Sequence, residues 1–167
     1  MEIIVAPMRA RAKATLRVER AYDFDEKRGV WMRRAEEEVE AYNLLTNTGR
    51  VQLHTFMYGT SSRTNGFNYI ALSNDGTAPA AGDTSLTAEL SGNGLSRVQG
   101  TVTLPTGSGN VTGIAHTFTF VGSSQAVQKV ALFDSASGGV MNHEILYTQR
   151  TLLTNDQLAV TVSITAG

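Results

Sequence analysis

Apolar and polar residues alternate with a period of two along most of this chain, and Gly, Asn, Asp and Pro interrupt the alternation at short intervals. Successive side chains of a strand point to opposite faces, so the pattern predicts half-buried strands. Such runs span Arg50–Tyr58, with Val51, Leu53 and Thr55 in phase, and Phe67–Ser73. Ser96–Leu104 has Val98 and Val102 in phase, and Thr112–Val121 places Ile114, His116, Phe118 and Phe120 on one face. Val127–Phe133, His143–Arg150 and Gln157–Thr165 complete the set. The last is the most regular: Leu158, Val160, Val162 and Ile164 share one side, and Ala159, Thr161, Ser163 and Thr165 the other. Asn74-Asp75-Gly76, Pro105–Asn110, Ser137-Gly138-Gly139 and Asn155-Asp156 supply turn chemistry between them. Short strands so spaced predict an all-β fold, a single β-sandwich of immunoglobulin-like or jelly-roll-like kind.

Residues 1–42 read differently, as an extended N-terminal arm ahead of a β-sandwich body over residues 43–167. Thr15–Phe24 and Val30–Arg34 flank Asp25-Glu26-Lys27-Arg28-Gly29, which predicts a β-hairpin within the arm. Arg34–Leu45 carries Ala35, Val39, Tyr42 and Leu45 at helical spacing among good helix formers, so a short helix and an extended strand are both open there.

Charge sharpens this division. Residues 1–50 hold ten of the fourteen Lys and Arg and nine of the fifteen Asp and Glu. A body so poor in charge is either a Thr/Ser-rich polar surface or one covered by neighbouring subunits, and the second reading is preferred. Within the arm, Arg9, Arg11, Lys13, Arg17 and Arg20 outweigh Glu2 and Glu19, and seven acids from Asp23 to Glu40 then reverse the sign. A basic block followed by an acidic one suits pairing between adjacent copies, or docking on an acidic neighbour. The formal net charge of −1 gives no overall basic footprint for nucleic acid. No apolar run approaches the ~18 residues of a membrane helix, and the start lacks the pattern of a signal peptide. The chain has no cysteine, so thiolate metal sites, disulfides and a cysteine nucleophile are all excluded.

From about Asn43 onward the chain resembles a β-sandwich module of tailed-bacteriophage structural proteins, of the tail-fibre and capsid-decoration kind. The residues that carry this are Asn43–Arg50, Asn68–Ser73, Gly76–Leu86, Gly94–Thr101, Thr117–Phe120, Val130–Asp134, Gly138–Met141 and Leu153–Leu158, in that order and spacing. The resemblance implies an oligomeric virion protein, assembled in the host cytoplasm, and says little about residues 1–42.

Catalytic patterns are sparse. Only His54, His116 and His143 offer imidazoles. His116 lies in phase with Phe118 and Phe120, as a core-edge histidine does, and adjacent strand residues such as His143 and Glu144 face opposite ways. No serine stands in a nucleophile elbow, and nothing selects a carboxylate pair for glycoside hydrolysis. Ser73-Asn74-Asp75-Gly76 with Asp83 could ring a calcium ion, although a plain turn is the commoner use of such residues. Gly107-Ser108-Gly109 lacks the Lys-Ser/Thr of a phosphate loop. No catalytic residue, cofactor or metal is therefore expected.

The sequence reading is a non-enzymatic virion protein, foremost a capsid decoration (cement) protein. It associates with itself, as a trimer, and with the major capsid protein or other virion proteins, without nucleic acid or membrane. The candidate contact residues are Arg9, Arg11, Lys13, Arg17, Arg20 and Trp31 in the arm. A tail, neck or fibre-attachment subunit is the alternative within the class, and a carbohydrate-binding host-adsorption module the alternative outside it.

Overall fold

The computed structural model describes residues 10–42, 44–49, 66–105 and 111–166. The strand expected over Arg50–Tyr58, His54 and most of the Pro105–Asn110 turn lie outside these. Ten strands are described: β1 (Ala10–Asp25), β2 (Val30–Tyr42), β3 (Leu44–Leu45), β4 (Tyr69–Ser73), β5 (Val98–Gln99), β6 (Thr101–Thr103), β7 (Val111–Thr119), β8 (Ser124–Phe133), β9 (Met141–Leu153) and β10 (Gln157–Ala166). They form two antiparallel sheets of five, ordered β2-β1-β10-β7-β6 and β3-β9-β8-β4-β5. The expected all-β, sandwich-like fold is present.

The core lies between the sheets. Leu158, Val160 and Val162 of β10 are buried, Thr161 between them is exposed, and Ile164 packs at the margin. They meet Val130, Leu132, Ile145 and Leu152 of the other sheet in one cluster. The run expected over Ser96–Leu104 is two strands, β5 and β6, belonging to different sheets. Gly100 makes the crossing. A Cβ there would stand 2.8 Å from Ile114 Cγ2 and 3.0 Å from Ile70 Cδ1, so only glycine lets the chain pass this close to the core.

The line drawn at residue 42 runs through a sheet. β1 pairs with β10 from Ala10↔Ala166 to Glu19↔Gln157, and Ala14, Leu16 and Val18 are core residues. The expected hairpin forms, and its first strand is structurally part of the sandwich. Residues 34–42, open between helix and strand, are strand. Pairing to β1 overrides the helical propensity of Ala-Glu-Glu-Glu-Val-Glu-Ala.

Candidate interaction surface

The β1–β2 hairpin brings together charge, exposed aromatic side chains and a sheet edge. Its base belongs to the sandwich, but pairing of β1 with β2 continues beyond the last β1–β10 pair, to Asp25↔Val30. The ribbon therefore leaves the body near Arg20 and runs on as two strands. Asp156, fully buried in the turn before β10, fixes the point of departure. Its Oδ2 accepts hydrogen bonds from Arg20 Nη1 at 2.6 Å and from the Leu153 N–H at 2.8 Å, and its Oδ1 accepts from the Ala21 N–H at 3.1 Å. A buried carboxylate is tolerable only with donors of this kind.

At the far end, Asp25 Oδ1 accepts from the Lys27 and Arg28 N–H groups, and Gly29 closes the turn at φ +64°. The left-handed conformation is why glycine stands there. Phe24 and Trp31 are opposite in register, their ring centroids 5.4 Å apart. Tyr22, Phe24, Val30, Trp31 and Met32 are all exposed, Tyr22 at 62 % and Trp31 at 40 %. An isolated two-stranded ribbon has no need of five exposed apolar residues for its own folding. Clusters of this kind mark contact surfaces.

The candidate contact residues are strung along this ribbon and do not gather at one point. Arg9 lies outside the described residues, and Arg11 stands opposite Thr165 in register. Lys13 forms an ion pair with Glu40, and Arg17 with Glu19 at 3.1 Å. Arg20 is held by Asp156, and Trp31 is at the tip. The antiparallel turn explains the sign reversal along the sequence, because it lays the basic stretch of β1 beside the acidic stretch of β2, with Arg17 opposite Glu38. Opposite blocks expected to pair between copies are thus already neighbours within one chain.

A second polar cluster lies on the outer face of the other sheet, where residues 74–97 fold back over it. Lys129 Nζ is 2.7 Å from Asp75 Oδ2 and 2.7 Å from Glu144 Oε1, with both Lys129 and Glu144 buried. Desolvation pulls the Lys129 pKa down, but its hydrogen bonds to Asp75 and Glu144 outweigh that, and the net shift is upward. Burial, opposed by Lys129 and aided by the hydrogen-bonded Asp83, holds the Glu144 carboxyl above its usual range. Hydrogen bonds from Lys129 and Thr77 hold Asp75 below it. The cation among the acids once considered for calcium is thus the lysine, and Asp83 Oδ2 accepts from the Ala80 N–H at 2.7 Å. The signal in the sequence was a single lysine inside the apolar run Val127–Phe133, which the alternation alone could not place.

The histidines stay apart. His143 is opposite Leu132 and Glu144 opposite Ala131, so the two face opposite ways. Burial pushes His143 down to about 4, and among the described residues neither of its ring nitrogens has a hydrogen-bond partner. His116 is half-buried, edge-on to Phe118 at 4.8 Å, and burial lowers its pKa too. Among the described residues no group of three or more His, Asp or Glu could hold a metal ion, and no helix is long and apolar enough to cross a membrane. Comparison of the chain with protein families, curated proteins and solved structures finds no match.

Proposed function

We propose that this protein is a non-enzymatic structural component of a tailed-phage virion, and within that class a capsid decoration (cement) protein. The reading joins the resemblance of residues 43–167 to one observation: a ribbon rooted in the sandwich core projects from it and ends in exposed aromatic residues. Its base is tied to the body by Arg20 and Asp156. Aromatic and Met side chains are those enriched where protein interfaces are most buried. On this reading the sandwich stands on the shell, the tip docks on the major capsid protein or another virion protein, and copies associate with one another. Replacing Phe24 and Trp31 by Ser should leave the fold intact and remove the protein from assembled particles. Normal incorporation of that variant would overturn the role of the tip.

The exposed Tyr22, Phe24 and Trp31 also favour a second reading, a carbohydrate-binding module for host adsorption, since sugars stack on such rings. A glycan array separates the two. Sugar binding lost in the same double variant would move the function from the shell to the host surface.

A further inference from the structure

We propose that β2 is a self-pairing edge: two copies of this chain join β2 to β2, antiparallel, about a twofold axis between Ala35 and Glu36. The contact would fuse the two five-stranded sheets into one continuous sheet.

β2 is thirteen residues long and outermost in its sheet, bonded to β1 on one side. Among the described residues nothing pairs with its other edge. Long open edges invite other strands, and proteins commonly protect them with charge. The charges here are sorted by sign. Arg33 and Arg34 lie on one side of Ala35, and Glu36, Glu37, Glu38 and Glu40 on the other. Antiparallel self-pairing about the stated axis sets Arg33 opposite Glu38 and Arg34 opposite Glu37, each twice. The same register sets Met32 opposite Val39 and Val30 opposite Ala41. An in-register parallel pairing would instead stack like on like. Within the chain the acidic half of β2 already lies beside the basic stretch of β1, whereas Arg33 and Arg34 stand opposite Ala21 and Arg20. Among the described residues it is therefore the basic half that lacks a complementary neighbour, and a second copy supplies one.

Two features of the chain support this register. The pairing of β1 with β2 shifts between Arg17↔Glu38 and Glu19↔Ala35, where β2 takes up one extra residue. The alternation of faces slips by one position across that irregularity. A twofold antiparallel pairing centred between two residues requires one such backbone slip, because a regular strand admits the axis only at a residue. The second feature is that neither Arg33 nor Arg34 forms an ion pair among the described residues. Arg33 Nε is buried without an acceptor among the described residues. In the paired sheet Glu38 would stand between Arg17 of its own chain and Arg33 of the second copy. The occupant that fits is a second copy of this chain, because its charge order is the reverse complement of itself.

The contact stands on the strand edge and does not depend on the virion reading. Absence of cysteine makes the test direct. In the proposed register Met32 of each copy meets Val39 of the other. Within one chain the two are roughly 23 Å apart along an extended strand, far beyond disulfide reach. The oxidised Met32→Cys/Val39→Cys variant should run as a covalent dimer, and either single variant should not. Arg33→Glu/Arg34→Glu and Glu37→Arg/Glu38→Arg should each be monomeric by light scattering, and an equimolar mixture should return to dimer. A wild-type chain that stays monomeric at about 1 mM overturns the proposal, as does cross-linking equally strong in the single variants. A trimer without the 32–39 cross-link keeps the decoration reading and removes this one.

Discussion

The two sheets are made of similar residues and meet the same core, yet the centre of one of them is covered on its outer face as well. In the sheet containing β10, buried and accessible positions alternate: Leu158, Val160 and Val162 are buried and Thr161 is exposed. In the other sheet, Ile70–Ser73, Lys129–Phe133 and Met141–Ile145 are buried at every position. The cause is the segment 74–97, which lays Leu86 against Ala71, Ala131, Phe133 and Met141 in a second apolar cluster on the outer face. It is tied down by the Leu90 N–H to the Leu72 carbonyl at 2.8 Å and by Ser73 Oγ to the Thr87 carbonyl at 2.6 Å. Arg97 closes it, bridging Glu89 and lying 3.5 Å over the Phe133 ring. Covering both faces has a consequence for polar residues. On the open sheet a Thr or Lys is solvated; on the covered sheet Lys129, Glu144 and Asn142 must find partners inside the protein.

That contrast also explains what could be read from the sequence. β10 was legible to the residue because a strand with one wet face prints its register as alternation. β8 and β9 were legible as strands but not as doubly buried ones, since Lys129, His143 and Glu144 look like surface residues until the covering loop is known. That loop has no period of its own, and it reads as Gly, Asn, Asp and Pro turn chemistry. The hairpin was legible from its turn residues. Its membership in the sandwich was not, because Ala14, Leu16 and Val18 stand among Lys and Arg residues whose charge dominates the pattern. The acidic and basic blocks were visible, but which block lies beside which depends on the antiparallel register.

The largest effect separates the sheets directly. Val162→Asp should give no folded protein, because it buries an unpaired carboxylate at a site with no exposure. Thr161→Asp should fold with a change within about 0.5 kcal/mol. On the covered sheet the adjacent pair Ala131→Asp and Leu132→Asp should both fail, each residue being fully buried. Thermal melts followed by circular dichroism check all four. A stable Ala131→Asp protein would show that the outer face is not sealed in solution.

Next in size is Lys129→Met, which leaves Glu144 and Asp75 facing each other without a cation. Breaking a buried pair from one side costs about 3–5 kcal/mol. Adding Glu144→Leu should recover much of this, since an apolar pair of similar volume suits the site. Urea denaturation would measure both. A loss under 1 kcal/mol for the single variant would mean that water already reaches the cluster.

The third prediction is a pH dependence. His143 has its pKa depressed from 6.5 to about 4 by burial, so the folded state binds its proton less readily than the unfolded chain. The associated stability is complete above pH 6.5 and is lost as pH falls toward 4. It amounts to about 3 kcal/mol over that window. Raised Glu144 acts in the opposite sense, its contribution being present at low pH and lost as pH rises through its folded pKa. His143→Leu should flatten the acid limb of the stability curve between pH 6.5 and 4, while Glu144→Gln, which removes a titration of the opposite sense, should steepen it. An unchanged acid limb in His143→Leu would assign the dependence to other groups.

The smallest effect concerns the ribbon, whose tip residues are exposed on both strands. Asp156→Asn keeps the size of the side chain and removes the charge that Arg20 meets at 2.6 Å. The amide keeps one acceptor oxygen but turns an N–H group toward the donors on the other side, so a global loss of about 1–3 kcal/mol is expected. The more telling readout is local. Trp31 is the only tryptophan and sits on the free part of the ribbon, so its fluorescence anisotropy reports ribbon motion apart from body unfolding. In Asp156→Asn the anisotropy should fall at temperatures where circular dichroism still shows an intact sandwich. The β1–β10 pairing ends at Glu19↔Gln157, and beyond it the described ties to the body are those Asp156 makes to Arg20 and Ala21. If anisotropy and circular dichroism change together, the ribbon is held by the sheet itself, and Asp156 serves only its own turn.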